Sequence, residues 1–349
     1  MTIYFLIYVF TVYCALFLDK QQQKNILLFI IFGLFLVLII GFRYQVGGDW
    51  YNYLAHYEFT KHETINDILK KPEILHYLLN WIAAKNDWGV YFTNVIYGVI
   101  FTFGLIKFVK NEPYPWLEIT IAIPYLFLVV AMGYSRQGVA IGLFMLAITY
   151  LKDNKFHIYI ILILIATLFH KTAILLLPLG VFLYGKNKYL KYLMIFPIFY
   201  GVYNLFFNSG VANRLWYGYV IENMDSSGAK IRVGMTFLAA LIFFYVRDKW
   251  KEKYNDYEFW KWISILSLVA IVLVNFTSTA VDRVALYFIP LQLVVFGRLP
   301  ELLRDKYNPN QIKFLITLYY FFVLFVWLSF ATHAKYWIPY QNILFKDLI

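Results

Sequence analysis

Residues 26–53, ILLFIIFGLFLVLIIGFRYQVGGDWYNY, show what kind of protein this chain forms. The run Ile26–Gly41 is apolar and carries no charge, and it is followed at once by Arg43, a glycine pair and Asp49. Similar apolar runs recur along the chain, and a helix of about 20 such residues crosses a bilayer. The stretch therefore predicts a membrane helix that ends in charged side chains at the lipid–water boundary.

Composition supports this reading over the whole chain. The sequence is 62% hydrophobic and 15% charged, whereas soluble domains are roughly half apolar and about a quarter charged. We predict an all-α, polytopic membrane protein that forms a single transmembrane domain over residues 1–349. The candidate helices, about twelve in number, lie near 2–18, 25–42, 89–108, 117–132, 137–151, 156–169, 172–184, 192–207, 233–246, 260–277, 284–298 and 312–332.

The distribution of basic residues predicts the orientation. Alternate connections hold more than half of the chain's 31 lysines and arginines, and basic loops stay in the cytoplasm. The net charge of +11 follows from this bias, so nucleic acid is not expected as a partner. The single cysteine, Cys14, excludes an internal disulfide.

The opposite, outer face gathers arginines and histidines at apolar boundaries. These are Arg43 and Asp49, Arg136 and Gln137 in GYSRQG, His170 in FHKTA, Arg214, Glu222, Asp225 and Arg232 in the polar loop 208–232, and Asp282 and Arg283 in TAVDR. Arginine's planar fork matches phosphate bidentately. Several arginines from different helices would suit a multivalent anion at the membrane surface. Structural alternatives stay open: an interfacial anchor for Arg43, a polar cap for His170, and a local ion pair for Asp282 with Arg283.

Residues 43–88 predict an outer-face loop rich in aromatic side chains. Within it, residues 74–82 carry apolar side chains at helical spacing, which indicates an amphipathic helix in the membrane interface. The aromatic residues fit either an interfacial belt or stacking against a sugar. Tyr44, Trp50 and Tyr51 are the candidates for sugar contact.

Five segments resemble a known family, the EpsG family of exopolysaccharide, capsule and O-antigen clusters. The segments are GFRYQVGGDWYNYLAHYE, PEILHYLLNWI, GYSRQGVAIGLFMLAITYL, LFHKTAILLLPL and DRVALYF, between about residues 39 and 290. The resemblance implies a GT-C-like membrane glycosyltransferase, similar to Wzy-type polymerases. It would join oligosaccharide units carried on undecaprenyl pyrophosphate, on the outer face of the bacterial cytoplasmic membrane. A chain-length regulator and a flippase of the same pathway are the implied partners.

The resemblance places functional roles on residues of this chain. These are Arg43, Asp49, Arg136, Gln137 and His170, with Glu73, Arg232 and Arg283 as further candidates. We expect Arg136 and Arg283 to bind the diphosphate, with Arg43 or Arg232 assisting. We expect Asp49 to act as base or to orient the acceptor, and His170 to bind phosphate or sugar and share that role. No paired Asp-x-Asp motif marks a metal site on the outer face, so we expect neither a metal nor another cofactor.

Several other functions are alternatives to polymerisation. A flippase or transporter for the lipid-linked unit would need polar residues across the mid-membrane, and here they gather at one face. A polysaccharide ligase would share the outer arginines, and the sequence separates it poorly from a polymerase. An acyltransferase or a structural partner of an assembly complex would not need these arginines.

Overall fold

The computed structural model of the chain describes residues 1–183, 200, 226 and 228–348. The predicted helix 192–207, except Tyr200, lies outside the described residues, as does most of the predicted loop 208–232. The α-helices, numbered over the described residues, are α1 Thr2–Phe17, α2 Ile26–Gly41, α3 Trp50–Thr60, α4 Ile65–Leu69, α5 Ile74–Lys85, α6 Gly89–Val109, α7 Pro115–Ala122, α8 Ser135–Lys152, α9 Phe156–Phe169, α10 Leu179–Leu183, α11 Ala229–Tyr245, α12 Arg247–Lys253, α13 Tyr257–Leu273, α14 Ser278–Ala285, α15 Ile289–Leu302 and α16 Pro309–Phe330.

Local sequence signals explain several helix starts. The Asn25 side chain accepts a hydrogen bond from the Leu27 N–H at 2.9 Å and so caps α2. Thr64 and Asp67 form a reciprocal capping box at α4. Pro115 occupies the first turn of α7, where its missing N–H costs nothing. The helix then continues as a π-helix over Ile123–Ala131.

Most helices predicted from hydropathy are present among the described residues, but the count of twelve membrane spans is not confirmed. The predicted helix 172–184 is instead a 3₁₀-helix over Lys171–Leu176 followed by the short α10. Three helical stretches are long and apolar enough to cross a membrane, Gly89–Val109, Ser278–Leu302 and Pro309–Phe330. A fourth would be α11 with α12, which bend by 72°. The other apolar helices are shorter. The chain is thus an all-helical membrane protein over its described part, and its exact number of crossings stays a prediction.

The described chain forms two compact units. The first comprises Met1–Leu146, Leu164–Lys171 and Lys313–Ile349. In it α2 packs on α6 and α1 packs on α7. The fully buried Trp116 ring stacks on Phe29, with centroids 5.3 Å apart. The hydroxyl of Tyr8 on α1 donates to the carbonyl of Thr317 on α16 at 2.5 Å, which fastens the last helix to the first.

The second unit comprises Ala147–Ile163 and Thr172–Ile312. Its polar centre is the buried carboxylate of Asp256, which pairs with Arg298 through two bonds of 2.8 and 2.9 Å and with Lys152 at 3.2 Å. Burial would raise the pKa of Asp256, but the charges of Arg298 and Lys152 hold it well below its usual range. All three residues belong to the predicted cytoplasmic loops, where they anchor helix ends.

The segment 43–88, which the sequence predicts to be an outer-face loop, forms three helices, α3, α4 and α5, of which α5 covers the predicted amphipathic helix. Its buried stripe is the polar one: Glu73, His76 and Asn80 are buried, whereas Leu75 and Leu79 remain half-exposed. Such an arrangement fits a helix with protein on one side and lipid on the other. His76 and Asn80 of this stripe contact side chains of α3 and α6, against which α5 packs.

Candidate functional site

A glycine bend places the start of α3 against the end of the π-helix. Gly47 has φ +109°, a conformation that side chains disfavour. A Cβ built there would lie 2.6 Å from the carbonyl oxygen of Met132. The Gly47 N–H donates to the carbonyl of Tyr336 at 2.9 Å. The VGGDW loop therefore lies directly beside the MGYSR turn that begins α8.

The C-terminal segment holds this junction together. The Trp337 indole N–H donates to the carbonyl of Leu128 at 2.8 Å, and a Cβ built on Gly133 would lie 2.5 Å from the Trp337 ring. Arg43 and Asn342 form an isolated antiparallel β-bridge. This segment follows the predicted helix 312–332, and the sequence prediction gives it no functional role.

Arg43 is fully buried in the first unit. Its guanidinium donates to the carbonyls of Ile40 and Val46 at 2.5 and 3.2 Å, and to the side chains of Asn94 and Ser135 at 3.2 and 2.8 Å. Burial lowers its pKa to about 10, which keeps it charged at neutral pH. This placement does not fit direct contact with a diphosphate. It supports a positioning role, because Ser135 immediately precedes Arg136.

We expect Arg43→Lys to destabilise the protein by about 2–4 kcal/mol, because lysine cannot reproduce the fork and leaves buried acceptors unsatisfied. Thermal unfolding of the purified protein in nanodiscs will measure this as a lower midpoint. The matched control is Arg247→Lys, whose side chain is 56% exposed and which we expect to leave the midpoint unchanged. An Arg43→Lys midpoint equal to wild type would refute the positioning role.

Asp49 precedes α3, and its carboxylate is only weakly engaged. It forms no side-chain cap hydrogen bond with α3. Within the described residues it accepts one long bond, from the Asn52 amide at 3.5 Å. The side chain is half-buried. A half-buried carboxylate at a helix N-terminus with so little protein contact is available to a substrate hydroxyl.

Glu73 gathers two of the predicted functional side chains. One carboxylate oxygen accepts from His170 Nδ1 and from the Lys171 backbone N–H, both at 3.2 Å, and the other accepts a short bond from Arg136. We call Glu73, Arg136, His170 and the Lys171 N–H the Glu73 cluster. Burial would raise the pKa of Glu73, but the bond from His170 and the charge of Arg136 lower it to about 2. Glu73 is therefore ionised, and it fixes the orientation of both partners.

Arg136 keeps part of its side chain accessible. It lies in the first turn of α8, with 27% of the side chain exposed. Its backbone N–H donates to the Tyr53 hydroxyl at 3.5 Å, and its guanidinium carbon lies 5.7 Å from the Tyr53 ring centroid. Asp49 is one helical turn before Tyr53 on α3. The structure thus brings Asp49, Arg136, His170 and Glu73 into one neighbourhood of the first unit. Gln137, next to Arg136, is buried.

The sequence prediction missed a group of hydrogen-bonded polar side chains beside the Glu73 cluster. His56 Nδ1 lies 2.9 Å from His76 Nε2, and His76 Nδ1 lies 2.6 Å from the Tyr97 hydroxyl. Burial lowers the pKa of both histidines, and the charge of Arg136 adds to this. The three-residue spacing of Glu73 and His76 on an amphipathic helix was the available signal. The sequence prediction used only the apolar residues of this helix.

The predicted sugar-contacting aromatics separate by exposure. Trp50 is 4% exposed and packs in a core cluster with Tyr53, Tyr57 and Val90, so the prediction that it stacks on a sugar does not fit its burial. Tyr51 is 62% exposed and is accessible to a ligand. Tyr44 is half-buried against the same cluster. Successive residues at the start of α3 point in different directions, and the sequence alone did not reveal which faced inward.

Two predicted residues belong to the second unit. Arg232 forms a bidentate pair with Asp282 at 2.8 and 2.5 Å and also donates to Ser226 at 2.6 Å. Asp282 thus pairs with Arg232 of α11, an ion pair that the sequence prediction of a local pair with Arg283 did not include. Arg283 is half-buried on α14. Substrate contact by Arg232 and Arg283 stays a prediction.

No group of three or more histidine, cysteine, aspartate or glutamate side chains suited to a metal ion occurs among the described residues. The model of the EpsG family matches residues 26–342. No curated protein and no solved structure matches the chain. The family match covers most of the chain and includes the glycine bend, the Glu73 cluster and the C-terminal segment as far as Asn342. The chain therefore belongs to the EpsG family.

Proposed function

We propose that this protein polymerises oligosaccharide units carried on undecaprenyl pyrophosphate, on the outer face of the bacterial cytoplasmic membrane. Membership of the EpsG family indicates a polysaccharide polymerase of exopolysaccharide biosynthesis. The observation that carries the finer proposal is the Glu73 cluster beside a weakly engaged Asp49. It offers fixed cationic donors and an acceptor carboxylate in one place.

The reaction needs both kinds of group. The acceptor hydroxyl oxygen forms a bond to C1 of the donor sugar, while the bond from C1 to the pyrophosphate oxygen breaks. Asp49 takes the hydroxyl proton or orients the hydroxyl. The departing undecaprenyl pyrophosphate gains negative charge, and preorganised donors that meet such charge are usually the largest catalytic contribution. Arg136 supplies that donor with its accessible edge.

His170 has a supporting role in this proposal. Because Glu73 is ionised, His170 donates its Nδ1 proton to the carboxylate, which sets the tautomer and the ring orientation. With its proton on Nδ1, the neutral ring offers Nε2 as an acceptor, so it binds a sugar hydroxyl and shares the base role with Asp49, whereas contact with phosphate needs the protonated ring. If Asp49→Asn keeps near-normal turnover while His170→Ala abolishes it, the base role passes to His170.

The proposal needs no metal, since arginine meets the developing diphosphate charge. A site that faces outward from the bacterial cytoplasmic membrane is part of the proposal. A flippase that delivers the lipid-linked unit and a chain-length regulator are the proposed partners. A GT-C-like arrangement of the membrane helices is part of the same proposal.

Polymerisation in liposomes tests the function. Purified undecaprenyl-pyrophosphate repeat units from the native gene cluster are supplied with EDTA, and the products are separated on a gel. We expect a ladder from the wild type and at least about a 100-fold loss of product with Arg136→Ala, the size of effect seen when a transition-state donor is removed. Arg304→Ala, whose side chain is 60% exposed, is the matched control and should keep full activity.

Each contrary result has a distinct meaning. A ladder that requires added Mg²⁺ would transfer the diphosphate role from arginine to a metal. Movement of the lipid-linked unit between leaflets without a ladder would make the protein a flippase. Transfer of a preformed polymer to another acceptor, without elongation, would make it a ligase.

A further inference from the structure

Three side chains that the proposed reaction does not use form a continuous hydrogen-bonded row. It runs from Tyr97 on α6 through His76 on α5 to His56 on α3, and we call it the histidine chain. Tyr97 and His76 are buried, whereas His56 is half-buried. A row of this kind holds its last member in a fixed orientation.

The surrounding bonds define the tautomers. The Asn80 amide nitrogen lies 3.3 Å from His76 Nδ1 and donates to the His76 carbonyl at 2.9 Å, while its oxygen accepts from Thr93 at 3.3 Å. His76 Nδ1 therefore accepts, from Tyr97 and Asn80. Its proton is on Nε2 and is donated to His56 Nδ1. A neutral His56 then carries its own proton on Nε2, at the far side of its ring.

His56 shares a helix face with Asp49. The residues at spacings of four and seven from Asp49 are Tyr53 and His56, so all three lie on one side of α3. Seven residues of α-helix rise roughly 10 Å. This face therefore presents a carboxylate acceptor and, two turns away, an N–H donor. Saccharides offer hydroxyls that both donate and accept, and they suit such a face.

The charges around His56 favour its neutral form. Burial lowers its pKa first, and Arg136 and Lys71 lower it further, whereas Glu73 and Asp49 oppose them. The neutral imidazole gives a donor N–H without a cation. A neutral donor suits a sugar hydroxyl.

We propose that His56 binds the acceptor saccharide, donating from Nε2 to a hydroxyl oxygen, and that His76 and Tyr97 are positioning residues that hold this tautomer. The inference rests on the proposed function for the identity of the saccharide. It assigns the acceptor-facing surface to α3, with Asp49 at one end and His56 at the other.

Substrate kinetics with three variants tests the role of His56. We expect His56→Ala to raise KM for the acceptor by about tenfold, the value of one hydrogen bond, with little change in kcat. His56→Gln should restore KM, because its amide nitrogen donates from a similar position. His62→Ala, an exposed histidine after the same helix, is the control. If His56→Ala and His56→Gln both lose kcat to the same extent, His56 acts as a base and the proposal is wrong.

A second measurement does not depend on turnover. The chain has six histidines, and ¹⁵N spectra of histidine-labelled protein in nanodiscs report the protonated ring nitrogen of each. We expect His56 and His76 as neutral Nε2–H tautomers at pH 7.5, and a shift of the His76 tautomer in Tyr97→Phe. The wild-type His56 signal should move when the native lipid-linked repeat unit is added.

The two measurements separate the inference from the function. If the protein makes polymer but its His56 signal does not change when the repeat unit is added, the inference is wrong and the proposed function still holds. A His56 signal that moves with the repeat unit, in a protein that makes no polymer, would support saccharide contact and refute the polymerase. A His76 tautomer that is unchanged in Tyr97→Phe would refute the positioning role of Tyr97.

Discussion

Replacing Glu73 with glutamine will abolish polymer formation and lower the stability of the protein. The substitution removes the negative charge of Glu73, which pairs with both Arg136 and His170. It also replaces one carboxylate oxygen, an acceptor, with an amide nitrogen, which can only donate. Breaking a buried pair by neutralising one partner typically costs about 3–5 kcal/mol, and Arg136 is partly solvated, so we expect about 3 kcal/mol. Thermal unfolding in nanodiscs and the liposome assay measure the two effects. Activity should fall at least about 100-fold because Arg136 loses its fixed position.

Glu58→Gln is the matched control for this prediction. Glu58 lies nearby on α3, but its side chain is 54% exposed and pairs with Lys61 one turn away. Exposed pairs contribute about 0–1 kcal/mol, so this variant should resemble the wild type. Equal activity of Glu73→Gln and wild type would show that the cluster does not orient the reacting groups.

The same carboxylate gives a stability that depends on pH. The pKa of Glu73 is lowered from 4.5 to about 2, so its contribution is complete above pH 4.5 and is lost as the pH falls toward 2. A shift of this size corresponds to about 3 kcal/mol. The difference in unfolding midpoint between wild type and Glu73→Gln should therefore be large at pH 7 and shrink below pH 4.5. A difference that persists at pH 2.5 would contradict this origin.

Gly47→Ala will disrupt the site although it adds one methyl group. The new Cβ would lie 2.6 Å from the Met132 carbonyl, and the backbone has a φ of +109°. Both the contact and the strain force the loop away from the turn before Arg136. We expect a loss of about 3 kcal/mol or more, no detectable polymer, and reduced unfolding midpoints in nanodiscs.

The neighbouring glycine provides the control in the same loop. A Cβ on Gly48 would make ordinary contact with the Trp337 ring at 3.7 Å, with no positive φ to oppose it. We expect Gly48→Ala to stay within about 0.5 kcal/mol of wild type and to remain active. If Gly47→Ala and Gly48→Ala behave alike, the close approach to Met132 is not what positions Asp49.

The helices of this protein could be predicted from local sequence, with errors of a few residues at their ends. The predicted helix at 89–108 is α6 Gly89–Val109, and the helix at 156–169 is α9 Phe156–Phe169. Hydropathy and helical spacing depend on neighbouring residues, so they can be read without the tertiary structure. The number of membrane crossings is different. Helices such as α1 and α2 are shorter than a bilayer-spanning segment, so their length alone does not show whether they cross the membrane.

The sequence likewise indicated some features of the candidate site and not others. Charges at apolar boundaries made Arg136, His170 and Asp49 candidates, because an unneeded charge at such a boundary is costly. The same rule also selected Arg43, and it could not distinguish a buried guanidinium bonded to Asn94 and Ser135 from one that binds a ligand. Exposure depends on packing partners, here from α6 and α8.

By itself, then, the sequence determined the membrane class, the positions of most helices and the segments that carry charge, since each follows from the residues within a few turns. Only the tertiary structure decided that Glu73 joins Arg136 and His170, which lie 63 and 97 residues away. It also decided that Trp50 faces inward and Tyr51 outward, and that the C-terminal segment holds the glycine bend. The physical reason is that hydrogen bonds and burial depend on which distant helices pack together, and no local pattern encodes that choice.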